Sequence, residues 1–358
     1  MNHRIASMLA AEDASTAATK TLDITLNKPI SRITVQYKMT NGSNDPTGHP
    51  AKAVTKIEVV DGSNVLFSLS GIEAQALNFY ETGRLPVSLI TYVSGIQSSV
   101  LAEINFGRYL WDELLALDPR KFQNPQLKIT HNKALGGAAP SASTLSVYAH
   151  VFDDKAITPA GFLMSKEQYG YTLAASAKEQ IDLARDFPYR LMMIKSLTAG
   201  KQPWENYNKL KLSEDNDAKV IINDELVTDL FKLYNEYPRI SEQILVQDMD
   251  SATPVFCTPT YLMAIASLGI GAADTAFFTT QSTGGSFNAT GTSDALAQLT
   301  VTGSGPHGAL ALWMGKKEII EDWYDVSKVG NLKLTVTAGS AASGTCEIVS
   351  QQLKKYAA

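Results

Sequence analysis

Short runs in which apolar residues alternate with polar or small ones dominate this chain. The clearest runs lie at residues 127–130, 144–151, 332–336 and 346–349. A period of two places one face of a strand against a core and leaves the other face in water, as in half-buried antiparallel sheets. Turn-forming pairs such as Asn41-Gly42 and Asp61-Gly62 separate the runs. The pattern predicts an all-β protein of many short strands, arranged as a sandwich or a barrel.

The second half of the chain repeats the order of segments found in the first half. Each half begins with two predicted strands, the second of which follows a proline. A strand that begins with Lys, a helix-like apolar segment and a late Leu-Lys-aliphatic-Thr strand come next, in this order. These segments lie at residues 21–35, 56–61, 76–81 and 127–130, and again at 180–194, 209–214, 230–235 and 332–335. A shared order of this kind indicates an internal duplication. The chain is therefore expected to contain two domains of one architecture.

One helix is predicted at the same place in each half. It covers residues 70–82 in the first half and residues 224–237 in the second, where apolar residues recur at helical spacing and Pro238 follows. Two sandwiches of about eight antiparallel strands, each with one inserted helix, are typical of jelly rolls. The predicted fold is all-β, a tandem double jelly roll.

The second half is longer than the first. Arg84 and Gly107 are 23 residues apart, whereas their counterparts Arg239 and Gly315 are 76 residues apart, so the second half carries about 53 extra residues. This insert falls within residues 241–308 and is rich in Gly, Ser and Thr. It is expected to form a long loop projecting from the outer end of the second roll, because such a loop cannot be buried without stranding its polar backbone. The exposed part is expected at Gly284, Gly285, Asn288 and Gly291, with residues 254–256 and 295–302 as strands or supports beneath it.

The domain boundaries follow from these segments. Residues 1–20 are predicted to be an N-terminal arm, 21–153 the first jelly roll, 154–177 a linker and 178–358 the second jelly roll. The arm carries Arg4 and a small apolar set, Ile5, Met8 and Leu9, compatible with one face of a brief helix. It lacks the hydrophobic region of an export signal. We expect it to become ordered only through neighbours or a membrane.

The duplicated pattern resembles the double jelly-roll major capsid proteins of tailless icosahedral viruses, the bacteriophage lineage that also includes adenovirus hexon. The residues that carry this resemblance are Pro29 and Arg32, their counterparts Pro188 and Arg190, the helix after the early strands, and the late Leu-Lys-aliphatic-Thr strands. The resemblance covers the chain from about residue 21 to its end. It implies two rolls standing side by side and three copies forming a pseudo-hexagonal capsomer.

The resemblance also implies where such a protein acts and what it contacts. It would be synthesised in the host cytoplasm and built into the capsid shell of the virion. Its partners would be its own copies, within a homotrimer and between capsomers, and other capsid proteins such as a penton protein. Contact with an internal viral membrane would be made by the N-terminal arm.

Charge, hydropathy and cysteine content exclude several classes of protein. The 31 Lys+Arg residues against 36 Asp+Glu give a net charge of −5, so the chain has no basic excess to neutralise a phosphate backbone, and specific nucleic-acid binding is not expected. No run of about 18 apolar residues is present that would span a bilayer. Cys257 and Cys346 are too few for a disulfide framework and favour synthesis in a reducing compartment.

No catalytic, cofactor-binding or metal-binding residue is assigned, and the chain is not expected to be an enzyme. The five histidines, His3, His49, His131, His150 and His307, never occur at the spacing of a zinc site. Residues 303–308 fit G-x-G-x-x-G, but the residues that follow predict a strand and not the helix of a dinucleotide site.

Two further groups of residues leave alternatives open. Loop-bound Ca²⁺ is conceivable at Glu214-Asp215-Asn216-Asp217 or at Asp248-Met249-Asp250, although neither has EF-hand spacing and solvated turns are favoured. Aromatic residues bunch in two places, at Trp204 and Tyr207 and at Trp313, Trp323 and Tyr324. They would suit a sugar-stacking surface, although packing in a core or between subunits is the commoner use. The alternative function is therefore a carbohydrate-binding or carbohydrate-processing β-sandwich protein.

Overall fold

A computed structural model describes residues 1–234, 239–249, 253–270, 277–280, 284–291 and 295–356. The first 152 residues form one jelly roll of two four-stranded sheets, with strand orders β1-β9-β3-β7 and β2-β8-β4-β5. Its elements are β1 (His3–Asp13), β2 (Ala18–Asp23), β3 (Ile30–Thr40), β4 (Val54–Asp61), β5 (Asn64–Leu69), α1 (Gly71–Thr82), β6 (Ile90–Thr91), β7 (Gln97–Asn105), β8 (Pro125–His131) and β9 (Ala142–Phe152).

A second jelly roll follows and contains the insert. It begins with β10 (Gly161–Thr172), β11 (Lys178–Asp182), β12 (Tyr189–Lys195), α2 (Pro203–Asn206), β13 (Tyr207–Glu214), β14 (Lys219–Leu226) and α3 (Val227–Tyr234). The insert holds β15 (Ile240–Gln247), β16 (Thr253–Phe256), β17 (Pro259–Ile270), β18 (Phe277–Thr280), β19 (Ser286–Gly291) and β20 (Leu296–Pro306). The roll closes with β21 (Ala309–Trp313), β22 (Leu332–Ala338) and β23 (Thr345–Lys355). None of the described helices is long and apolar enough to cross a membrane.

The two rolls have the same strand order. The sheets of the second roll have the orders β10-β23-β12-β21 and β11-β22-β13-β14. These strands occupy, in the same order, the places of β1-β9-β3-β7 and β2-β8-β4-β5 in the first roll. The helices α1 and α3 follow equivalent strands, β5 and β14. The predicted tandem double jelly roll is confirmed, and the four matched segments lie on equivalent elements as far as the structure describes them.

The helix α1 begins and ends where its sequence provides caps. The Ser70 hydroxyl accepts a hydrogen bond from the Glu73 amide, while the Glu73 carboxylate accepts one from the Ser70 amide at 2.8 Å. At the other end Gly83 takes a left-handed conformation, which glycine adopts without strain. The prediction of residues 70–82 therefore agrees with the structure. Helix α3 begins later than predicted, at Val227, because Leu226 still pairs with Lys209 in the sheet; residues 235–237 lie outside the described residues.

The predicted N-terminal arm is wrong over most of its length. β1 pairs antiparallel with β9, from His3 opposite Phe152 to Asp13 opposite Thr144, and β2 already begins at Ala18. The strand lies at the edge of its sheet with most side chains exposed, so it shows no apolar alternation. Main-chain hydrogen bonds hold it in place, and the sequence pattern carries no sign of them.

The predicted linker also differs from the structure. Residues 161–172 form β10, the first strand of the second roll, which pairs along its length with β23. The second roll therefore begins before residue 178. The second half of β10 alternates between half-buried and exposed residues, because only one side of the strand packs on the core. This polar half resembled a linker in the sequence.

The insert is mainly strand and not the long loop predicted, although the strands expected at residues 254–256 and 295–302 are present as β16 and most of β20. It forms two small sheets, β17-β20-β15-β6 and β16-β19-β18, with a shared apolar core that includes Val246, Phe287 and Leu299. Gly284 and Gly285, predicted to be exposed, are buried, and a Cβ atom on Gly284 would lie 1.9 Å from the Thr198 carbonyl oxygen. The Gly, Ser and Thr content that indicated a loop here belongs to closely packed strands and turns.

Candidate assembly surfaces

The two rolls are joined through their sheets. β5 of the first roll pairs in parallel with β10 of the second, with Ser68 opposite Lys166. This contact fuses one sheet of each roll into a single sheet of order β2-β8-β4-β5-β10-β23-β12-β21. A side chain of α1 adds a further tie, since the Tyr80 hydroxyl donates to the Ala309 carbonyl oxygen at 2.8 Å. These contacts hold the two rolls together within the chain.

A buried ion pair crosses the same joint. Arg190 on β12 is completely buried and lies 3.6 Å from the carboxylate of Glu81 on α1. Its guanidinium donates to the Gln351 side chain at 2.7 Å and to the Lys317 carbonyl oxygen at 3.1 Å. Arg190 therefore connects a helix of the first roll to three segments of the second.

The surroundings of Arg190 stabilise its charge. Trp313 and Trp323 present their rings to the guanidinium, with centroids 5.0 and 5.7 Å away. Burial raises the pKa of Glu81, and Arg190 opposes this shift, as do hydrogen bonds from Asn105 and Gln351. Glu81 also lies close enough to Arg32 to be influenced by its charge, so the two arginines of the duplicated pattern act on one carboxylate. Sequence analysis singled out the two arginines but not Glu81. The only sign of Glu81 in the sequence is that it is an acidic residue on a largely apolar helix.

The insert is anchored on the first roll by main-chain and polar contacts. β15 pairs in parallel with β6, and the Tyr92 hydroxyl donates to the Phe256 carbonyl oxygen at 2.8 Å. Glu242 accepts hydrogen bonds from the Thr258 amide at 2.8 Å and hydroxyl at 2.6 Å, and His49 Nε2 lies 3.2 Å from that hydroxyl. The insert therefore acts as a clamp on the first roll as well as part of the second.

Two of the five histidines meet at this anchor. The rings of His49 and His307 are 4.7 Å apart, and His307 Nε2 lies 3.0 Å from the Gln75 side-chain oxygen. Burial, followed by the charges of His49, Lys195 and Lys52, holds the pKa of His307 well below its ordinary value. The pair brings together the first roll, the insert and the second roll. Among the described residues, no group of three or more His, Cys, Asp or Glu side chains is arranged to hold a metal ion.

The first candidate Ca²⁺ loop uses its carboxylates within the protein. Glu214 accepts from Lys219 at 2.8 Å, Asp217 from Lys211 at 2.7 Å, and Asp215 from the Asn331 amide at 2.9 Å. In the second loop, Asp250 lies outside the described residues. Loop-bound Ca²⁺ stays a prediction that these contacts do not favour at residues 214–217.

The aromatic residues that suggested a sugar surface are engaged inside the molecule. Trp313 and Trp323 flank Arg190. Tyr207 is fully buried, with its hydroxyl donating to the Gly308 carbonyl oxygen, and Trp204 packs edge-on against Phe231. Tyr324 donates to Glu214. Their arrangement matches the packing role and gives the carbohydrate alternative no support.

Among the strands that lie at the edge of a described sheet, β1 and β14 expose apolar side chains. β1 ends the order β1-β9-β3-β7 and β14 ends the order β11-β22-β13-β14, and within the described residues neither strand has a second strand beside it. Both edges expose apolar side chains: Ile5 is 62% exposed, and Val220, Ile221 and Leu226 are 39%, 39% and 40% exposed. Open edges of this kind pair readily with another chain. Sequence reasoning missed them, because it placed β1 in an arm.

A third surface lies at the end of the molecule that holds Met1 and Tyr356, the first and last described residues. The loops after β7 and β21 meet there, where Arg108 donates to the Glu318 carbonyl oxygen at 2.7 Å. The last described residue, Tyr356, accepts from the Asp118 amide at the same end. Apolar side chains on these loops reach solvent, among them Tyr109 (54% exposed), Leu114 (44%) and Ile319 (41%).

The fold is shared with known viral capsid proteins. The sequence itself matches no protein-family model and no curated protein. Among solved structures, the major capsid protein P2 from bacteriophage PM2 is 9% identical, with a TM-score of 0.58 over 99% of this chain and 98% of that one. The STIV MCP, from Sulfolobus turreted icosahedral virus, is 12% identical, with a TM-score of 0.59 over 99% and 98%. PBCV-1 VP54 is 13% identical, with a TM-score of 0.57 over 98% and 94%.

These likenesses show the fold. Each likeness spans almost the whole of both chains. The chain has the tandem double jelly roll found in viral major capsid proteins, which is the fold that the resemblance in its sequence implied.

Proposed function

We propose that this protein is a major capsid protein that assembles as pseudo-hexagonal trimers into an icosahedral virus shell. The observation that supports this best is the extent of the structural likeness: 99% of the chain and 98% of the PM2 protein share one two-roll architecture. Jelly rolls also serve in lectins and enzymes, but those functions do not call for two rolls of one topology in tandem. The proposed role is structural, without catalysis.

The duplication gives this role a physical basis. Three chains bring six rolls of one topology, so a three-chain unit can fill a position with six neighbours. Contacts between unlike surfaces of identical chains close into rings when the rotation per step allows it. The buried Arg190–Glu81 pair and the shared sheet hold the two rolls of a chain in one relative position, as a ring requires.

The proposal extends to location and partners. The protein would reside in the capsid shell of the virion after synthesis in the host cytoplasm, and would contact its own copies and a vertex protein such as a penton. Since residues 3–13 form a strand of the first roll, a membrane contact through a free arm is not retained. We place any contact with an internal membrane at the end that carries the termini and exposes Tyr109, Leu114 and Ile319.

Light scattering on the purified protein tests the trimer. One chain has a mass of 38.7 kDa, so a trimer has a mass of about 116 kDa. We expect that mass at micromolar concentration and after dilution, because a shell subunit must persist before assembly and a stable interface buries more than about 1,000 Å². A folded monomer at all concentrations would contradict the proposal.

A further inference from the structure

The first roll and the insert leave a cavity between them, next to their paired strands. β6 and β15 pair in parallel, with Ile90 opposite Ile244, and the segments that lead into these strands, residues 84–88 and 239–243, line a cavity of about 400 Å³. β20 covers only the other side of β15, so among the described residues no strand lies beside residues 240–243 on the cavity side. A cavity of this size accepts a small organic molecule.

Two arginines without partners lie at this cavity. Arg84 follows α1 and Arg239 follows α3, so the two residues occupy corresponding places in the internal duplication. The chain has eight arginines, and the side chains of the other six are engaged by carboxylates or by a main-chain carbonyl oxygen. Within the part of the chain that the structure describes, neither Arg84 nor Arg239 has an ion pair or a side-chain hydrogen bond. The two arginines that lack a partner therefore line the same cavity.

The third charged residue of the cavity, Glu242, is already engaged. Its carboxylate accepts hydrogen bonds from the amide and the hydroxyl of Thr258, and the residue is only 8% exposed. Two arginines and one glutamate give the lining a net charge of +1 (2 − 1), so a singly charged anion would neutralise the cavity. Guanidinium groups bind carboxylates in a planar, two-point arrangement. Charge complementarity therefore favours a carboxylate.

The rim of the cavity is apolar and exposed. Val87 is 87% exposed and Leu89 is 56% exposed, and both belong to the loop that carries Arg84. Deeper in the cavity the apolar lining is buried, as at Phe79 (3% exposed) and Ile240 (2% exposed). Covering exposed apolar side chains with the apolar part of a ligand removes their surface from water and is favourable. The rim therefore suits an anion with an apolar body.

We propose that this cavity binds a small carboxylate with an apolar body, which Arg84 and Arg239 hold by its charge and which covers Val87 and Leu89. The inference goes beyond the proposed capsid role and does not depend on it, because all the lining residues belong to one chain. Free organic acids and the carboxyl end of a polypeptide share this chemistry. The experiment separates these two sources.

Calorimetric titration of the full chain with two carboxylates tests the site. 3-Phenylpropionate stands for a free organic acid and N-acetyl-leucine for the carboxyl end of a polypeptide. At least one of them should bind with one site per chain, and the tighter of the two identifies the source. Their uncharged amides, 3-phenylpropionamide and N-acetyl-leucinamide, should bind at least about tenfold more weakly, because they lose charge-assisted hydrogen bonds.

Four single variants make the result specific. Arg84→Gln and Arg239→Gln should each weaken the better carboxylate at least about tenfold and leave the affinity for its amide unchanged. Val87→Ser should weaken the carboxylate and the amide alike, because it removes apolar contact only. Arg120→Gln removes an exposed arginine that pairs with Asp118 outside the cavity, and it should change neither affinity. Because Arg84 and Arg239 are exposed and have no partners, their variants should keep the native midpoint of thermal unfolding.

The outcomes separate the site from the proposed function. Charge-dependent binding that both arginine variants lose supports the site. Equal binding of a carboxylate and its amide, full affinity in the folded double variant Arg84→Gln/Arg239→Gln, or no binding of either carboxylate at millimolar concentration overturns it. Light scattering on the same samples reports the oligomeric state separately. A monomer that binds contradicts only the proposed trimer, and a trimer that does not bind contradicts only this site.

Discussion

Replacing Arg190 with Met should destabilise the protein far more than its position outside any catalytic site suggests. Methionine fills similar space but removes the guanidinium, so the buried Glu81 carboxylate loses its ion-pair partner and keeps the hydrogen bonds from Asn105 and Gln351. Loss of one partner from a buried ion pair costs about 3–5 kcal/mol, since the remaining charge is uncompensated. We expect the free energy of unfolding to fall by that amount.

The double variant Arg190→Met/Glu81→Gln separates charge from packing. A glutamine at position 81 keeps an acceptor for Asn105 but carries no charge, so the double variant should lose less than about 2 kcal/mol. An exposed pair gives the matched control: Arg4 lies 3.0 Å from Asp153 with its side chain 43% exposed, and Arg4→Met should cost less than about 1 kcal/mol.

The cost of Arg190→Met should also depend on pH. Removing Arg190 takes away the largest influence that opposes burial, so the folded-state pKa of Glu81 should rise further above its ordinary value. At a pH between the Glu81 pKa of the unfolded state and the higher pKa of the folded state, Glu81 binds a proton only in the folded state. The free energy of unfolding therefore falls as the pH rises between these two pKa values. The deficit should be larger at pH 8 than at pH 5.

Urea unfolding measures these differences, with tryptophan fluorescence as the signal because Trp313 and Trp323 lie against Arg190. If the double variant were as unstable as Arg190→Met, or if Arg190→Met cost less than about 1 kcal/mol, the buried pair would not be what fixes the two rolls together.

Three further predictions follow from the anchor and the edge strand. Acidification should destabilise the insert, because the lowered pKa of His307 keeps this side chain neutral in the folded state while the unfolded state gains a proton below about pH 6.5. Limited proteolysis of the insert should therefore become faster between pH 7 and pH 5. The variant His307→Gln should remove this pH dependence. Gly284→Ala should destabilise the insert by more than about 1 kcal/mol, because the added Cβ would clash with the Thr198 carbonyl oxygen. Gly200 also has a left-handed backbone conformation but no atom near a Cβ, so Gly200→Ala should cost only the backbone strain of about 1 kcal/mol. Thermal unfolding of the two variants measures the difference. Deletion of residues 1–10 should remove most of β1 and leave the edge of β9 unpaired, so the midpoint of thermal unfolding should fall. An unchanged midpoint would show that β1 does not stabilise the first roll.

The alternation of residues predicted the parts of the fold that are half-buried. The strand β22 follows the pattern buried, half-buried from Leu332 to Ala338, and such strands carry their own signal in the sequence. The duplication then predicted two rolls of one topology, because it depends on the order of segments and not on exact boundaries. The caps of α1 were equally local and gave correct helix bounds.

Elements that are held mainly by backbone contacts could not be predicted from the sequence. β1 is an edge strand, and the second half of β10 is polar, so neither shows the period of a strand. In the insert, glycines and small polar residues indicated loops, whereas Gly284 is glycine because the chain packs too closely for a Cβ. The Glu81–Arg190 contact joins residues 109 positions apart, and such pairing depends on the tertiary fold.

Electron cryo-microscopy of the assembled particles tests the central claim most directly. We predict a closed shell whose capsomers have a six-sided outline but three-fold symmetry, with three copies of this chain in each. Particles whose shell lacks this chain, or capsomers in which the two rolls of one chain belong to separate rings, would contradict the account.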